Sequence, residues 1–94
     1  MTEDSARRHE IYYQGTVQGV GFRYTTRRIA ARFPVKGFVR NEPDGRVHLV
    51  VEGANGVIQG FLAAIQAELG HFILDAEEKI GPATGQYRTF DIRF

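Results

Sequence analysis

The apolar positions alternate between two rhythms along the chain. From His9 to Val17 the period is two: Ile11, Tyr13, Gly15 and Val17 share one face, and Tyr12, Gln14 and Thr16 the other. With its aromatic and β-branched content this pattern predicts a strand. It ends at the glycine-rich turn Gln18-Gly19-Val20-Gly21. From Phe22 to Phe33 the period becomes helical, with Phe22, Thr26, Ile29, Ala30 and Phe33 as the buried stripe. Pro34 stops this helix.

Two further strands follow. Val35 to Glu42 places Val35, Gly37, Val39 and Asn41 on one face; Arg46 to Glu52 does the same with Val47, Leu49 and Val51. Pro43-Asp44-Gly45 between them is a turn, because Pro presets φ and Gly supplies a positive φ, so the two strands form a hairpin. A second helix runs from Val57 to Leu69, with Asn55 as its N-cap and Gly70 just past its end. Gly60 inside it costs about 1 kcal/mol relative to Ala, which marks a place of close packing. His71 to Ile80 reads as a weaker strand, 81–86 as a loop, and Tyr87 to Phe94 as the last strand.

The order is β-α-β-β-α-β with the final β region split in two. Right-handed crossovers place both helices on one face of an antiparallel sheet. This predicts a ferredoxin-like α/β (α+β) sandwich with an extra C-terminal strand. Residues 1–8 read as a flexible polar tail and 9–94 as a single domain.

Length and composition agree with one ordinary globule. The chain has 94 residues, 43% apolar and 24% charged, and no cysteine, which removes disulfides, thiol nucleophiles and Cys-based zinc sites. No apolar run approaches the roughly 20 residues that span a bilayer, and the N-terminus lacks the apolar segment of a secretory signal. The expected location is the cytoplasm. A formal net charge of +1 is too balanced for a dedicated nucleic-acid binder, although Arg23, Arg27, Arg28 and Arg32 make the first helix locally basic.

The turn before that helix carries the most specific chemistry. A helix leaves its first N–H groups unpaired, and a Ser, Thr, Asp or Asn cap commonly satisfies one of them. Gly19, Val20 and Gly21 offer no side-chain acceptor, and the first helical turn contains Arg23 rather than an acid. The donors are left for an external anion, and Arg23 adds a planar fork suited to phosphate oxygens. The bland alternative is a glycine-rich turn with a solvated arginine. The segment is neither a P-loop, lacking Gly-Lys-Ser/Thr, nor a dinucleotide fingerprint, lacking the third glycine. Asn41 is a second candidate: a carboxamide on an inward face needs a partner. Its alternative is to cap the turn that follows.

Two stretches taken together resemble the acylphosphatase family closely. The first is Gly15-Thr16-Val17-Gln18-Gly19-Val20-Gly21-Phe22-Arg23; the second is Gly37-Phe38-Val39-Arg40-Asn41, followed by Asp44-Gly45-Arg46-Val47 and Glu52-Gly53. Phe38 stands where many members carry Trp. The resemblance implies hydrolysis of the carboxyl-phosphate bond of small acylphosphates, without metal or cofactor; a monomer is the default expectation. It implies a phosphate-binding loop made of Gln18, Gly19, Val20, Gly21, Phe22 and Arg23, with Arg23 and Asn41 catalytic and Asn41 positioning the attacking water. Such chemistry needs few groups, because a carboxylate leaving group has a conjugate-acid pKa near about 4 and departs unprotonated.

The remaining polar residues carry blander expectations. His9, His48 and His71 have no metal-like spacing and read as surface or strand-edge residues. Two other readings remain on the same scaffold. Tyr12, Tyr13 and Phe38 would form base-stacking platforms in an RNA-binding domain, and a non-catalytic phosphate-binding module is the other.

Overall fold

The computed structural model describes residues 5–94. In chain order the elements are β1 (Ala6–Gly15), α1 (Phe22–Ala30), β2 (Lys36–Asn41), β3 (Val47–Ala54), α2 (Asn55–Leu69), a 3₁₀ turn (Gly70–Phe72), β4 (Ile73–Pro82) and β5 (Phe90–Arg93). The strands make one sheet in the order β4-β1-β3-β2-β5, and both helices pack on one face of it. This is the ferredoxin-like arrangement expected.

The core is a single apolar layer between sheet and helices. Ile11 and Tyr13 of β1, Val39 of β2, and Val47, Leu49 and Val51 of β3 meet Phe22 and Ile29 of α1 and Ile58, Phe61 and Ile65 of α2. The residues of β1, β2, β3 and α1 here are positions that the period-two and helical rhythms select. Gly60 does mark close packing: a Cβ there would sit 3.2 Å from the Phe33 ring, which lies edge-on to Phe61.

Several boundaries and one pairing differ from expectation. Residues 1–4 of the expected tail lie outside the described residues, but Ala6, Arg7 and Arg8 belong to β1, paired with Ala54, Gly53 and Glu52 of β3. Polar residues extend that strand because β3 and β4 flank it on both sides and satisfy its backbone groups. The first helix ends at Ala30. Arg32 and Phe33 instead donate i→i−3 bonds to Ile29 and Ala30, a tighter turn ahead of Pro34. Ala54 rather than Asn55 occupies the cap of α2, and Gly70, just past its end, has a right-handed conformation.

The sheet is also mixed, not antiparallel throughout. β5 pairs parallel with β2, Gly37 opposite Phe90 and Val39 opposite Ile92. The chain leaves β4 at one edge of the sheet and crosses to the other before β5 begins, which reverses the sense of the last pair.

Candidate active site

The loop between β1 and α1 is pinned at both ends by the core. Val17 and Phe22 are 1% and 2% exposed, and the Phe22 ring packs 5.4 Å from Tyr13. Between these anchors the backbone turns through left-handed conformations at Gly19 (φ 78°) and Gly21 (φ 75°), which glycine adopts without steric cost. Gly21 is the cap of α1 and makes no side-chain cap hydrogen bond, and the first turn holds no acidic residue. The first helical bond runs from the Thr25 N–H to the Gly21 carbonyl, 2.9 Å. The N–H groups before it face the end of the helix, where the dipole is positive.

Arg23 stands in that first turn. Its guanidinium lies over the Phe94 ring, 4.8 Å from the centroid, so one face is covered while the in-plane N–H donors stay available. Asn41 ends β2 on the same face as the wholly buried Val39. The topology brings the two together. β1 and β2 both run antiparallel to β3 and therefore parallel to each other, so the loop after β1 and the end of β2 share one end of the sheet. Arg23, Asn41, Val17, Gly19, Gly21, Phe22 and Tyr24 line one small pocket of about 90 Å³.

The Asn41 carboxamide is not used to cap the hairpin turn. Asp44 does that, its carboxylate accepting from the Arg46 N–H at 3.1 Å and pairing with Arg46 Nε at 2.8 Å. Asn41 Oδ1 is buried and has no hydrogen-bond partner among the described residues. A buried acceptor of this kind needs a donor from outside the chain.

Gln18 behaves differently from its neighbours in the loop. Its side-chain Nε2 donates to the Glu42 carbonyl (2.8 Å) and to the Arg46 carbonyl (2.9 Å), across the neck of the β2–β3 hairpin. The sequence singles Gln18 out as part of the loop but gives no sign of these partners.

The carboxylate that directly follows Asn41 faces the other way. Glu42 pairs with Arg40 at 3.0 Å on the helix-free side of the sheet. There His48 bonds through Nε2 to Glu10 (2.8 Å) and stacks on Tyr12 at 4.2 Å. His48 and His9, expected at the surface, are 5% and 1% exposed. His9 Nδ1 meets Glu78 at 2.5 Å. Both histidines lie within interior strands, where neighbours on either side cover them; for His9, its shared parity with Ile11 and Tyr13 was the readable signal. The possible stacking platforms on the same side are occupied as well: Arg46 lies 4.3 Å over Tyr12 and Arg93 4.2 Å over Phe38.

These features define a class, a ferredoxin-like α+β sandwich with a small basic pocket at one end of its sheet. The acylphosphatase family model matches residues 9–92. The chain belongs to the acylphosphatase family, and it acts as an acylphosphate phosphohydrolase, cleaving the carboxyl-phosphate bond. It is similar to an acylphosphatase of Arthrobacter sp. (strain FB24), 42% identical over 80 residues, covering 84% of this chain and 73% of that one. It is also similar to an acylphosphatase of Rubrobacter xylanophilus, 40% identical over 88 residues, covering 93% and 80%. The crystal structure of acylphosphatase from Bacillus subtilis superposes with a TM-score of 0.85 at 29% identity, covering 94% of this chain and 99% of that one.

Proposed function

We propose that the pocket is the hydrolytic site, with phosphate held by the loop and Arg23 and the attacking water oriented by Asn41. The observation that carries this reading is the meeting of three features in one pocket: an uncapped helix N-terminus, the Arg23 fork, and the unpartnered Asn41 Oδ1. Loop N–H groups from Gln18 to Arg23 and the Arg23 guanidinium together neutralise the non-bridging phosphoryl oxygens. Phosphoryl transfer depends mainly on such positioning and charge stabilisation. Asn41 Oδ1 accepts a hydrogen bond from water and turns its lone pair toward phosphorus.

No protein acid or base is required. The leaving carboxylate departs unprotonated, and among the described residues no carboxylate or imidazole lines the pocket. The substrate phosphate therefore takes the water's proton, and the rate should vary little with pH near neutrality. A rate profile governed by an enzyme group of pKa near 7 would exclude this scheme.

The substrate is a small acylphosphate. We extend the proposal to a monomer in the cytoplasm that does not bind nucleic acid. Among the described residues no helix is long and apolar enough to cross a membrane, and arginines cover the Tyr12 and Phe38 rings, which occupies these two platforms for RNA bases. Sedimentation in the presence and absence of single-stranded RNA tests both the oligomeric state and the RNA alternative.

Benzoyl phosphate hydrolysis by the wild type, Arg23→Ala and Asn41→Ala tests the site. Arg23→Ala should lose both phosphate affinity and rate. Asn41→Ala should lose rate while still binding phosphate. An Asn41→Ala enzyme as fast as the wild type would remove Asn41 from the mechanism.

A further inference from the structure

We infer that Gln18 is a positioning residue, a clasp whose side chain sets the separation between the phosphate loop and the water-orienting Asn41. The inference rests on the proposed role of Asn41. The two halves of the site sit on different elements. The loop belongs to the β1–α1 crossover, whereas Asn41 ends β2 beside a solvent-exposed hairpin turn. The Gln18 carboxamide bridges them. One NH₂ group has two donors, and here they are divided between two carbonyls, Glu42 at 2.8 Å and Arg46 at 2.9 Å.

The position of those carbonyls gives the clasp its leverage. Glu42 directly follows Asn41, and the Glu42 N–H donates to the Arg46 carbonyl at 2.8 Å, closing the hairpin just beyond the Asn41–Val47 pair. Gln18 thus grips the backbone one residue from Asn41. On the other side Val17 is fixed in the core, so the grip has a rigid base. Both side-chain donors are committed to the hairpin, which leaves the Gln18 backbone N–H as its donor toward phosphate.

The hairpin does not need Gln18 to stay closed. The Glu42 carbonyl also accepts from the Gly45 N–H at 3.1 Å, and the Arg46 carbonyl from the Glu42 N–H. Replacing Gln18 with Met, an unbranched side chain of similar length without donors, leaves each carbonyl one partner and should preserve the fold. The separation of loop and Asn41 would then be free to vary. Because a displacement of about 1 Å in a reacting geometry can cost roughly 100-fold in rate, kcat is the sensitive quantity.

The test is a cycle of four enzymes: wild type, Gln18→Met, Asn41→Ala and the double variant, assayed with benzoyl phosphate and with inorganic phosphate as competitive inhibitor. Gln18→Asn, too short to reach both carbonyls, serves as a second probe of the clasp. Gln18→Met and Gln18→Asn should lower kcat about ten- to a hundredfold, with the phosphate inhibition constant within about twofold of wild type. In the Asn41→Ala background Gln18→Met should cost little further rate, since the residue it positions is gone. Three results would overturn the clasp: an unchanged kcat, a phosphate constant that weakens in step with kcat, or a full penalty repeated in the Asn41→Ala background. A normal rate in Asn41→Ala itself would instead defeat the assignment of Asn41, so the two failures are distinguishable.

Discussion

Gly37→Ala offers a severe test of how the sheet supports the site. Gly37 lies on β2 with φ 142°, a conformation that L side chains rarely adopt. A Cβ built there would fall 1.9 Å from the Val50 carbonyl oxygen and 2.8 Å from its carbon. Real Cβ contacts essentially never come closer than 3.0 Å, so β2 and β3 must separate locally by at least about 1 Å. No flexible side chain can absorb the overlap, because the obstructing atoms are backbone. Overpacking costs about 1–3 kcal/mol and a strained backbone a further 1–3 kcal/mol, so a loss of roughly 2–6 kcal/mol is expected. At about 4–8 °C per kcal/mol for a domain of this size, the melting temperature should fall by at least about 8 °C. Thermal unfolding followed by circular dichroism reads this directly. At temperatures where the variant remains folded, displacement of β2 should reduce kcat through Asn41, which ends the same strand, more than it weakens phosphate binding. A variant melting within about 4 °C of wild type would refute the reasoning, since it would mean that β2 accommodates the methyl without moving.

Inorganic phosphate should raise the melting temperature of the wild type, because a ligand that binds only the folded state stabilises it, by about 2.7 kcal/mol at a hundred times its Kd. Arg23→Ala should show little of this rise, and an equal rise in both would remove Arg23 from the phosphate site. Glu52 links β3 to the segment before β5. Burial pushes its carboxyl up, but the Thr84 and Gly85 N–H groups, the Thr84 hydroxyl and the nearby Arg8 charge outweigh that and hold it below the usual carboxylate range. The folded state therefore favours the ionised form. The stability this supplies is present above about pH 4.3, the unfolded value, and is lost as pH falls through the lower folded value. Urea midpoints across pH 2 to 7 should show Glu52→Gln with lower stability at neutrality and a shallower decline in acid; an unchanged acid slope would exclude this origin for it.

The amino-acid sequence alone determined the element order, the burial of the alternating and helical apolar stripes, and the uncapped N-terminus of α1 with Arg23 in its first turn. Each of these depends on residues close together in the chain, through backbone periodicity, glycine conformations and missing cap acceptors. The second signature also pointed to Asn41, though not to its distance from Arg23. That distance, the partners of Gln18, the burial of His48 and the parallel pairing of β5 were decided only by the tertiary structure. All four depend on which strands lie side by side. β1 and β2 come into parallel alignment because β3 lies between them, antiparallel to both. The same arrangement places the Gln18 amide against carbonyls 24 and 28 residues further along the chain. Local pattern carries no record of such neighbours, and here they join the loop that holds phosphate to the strand that carries Asn41.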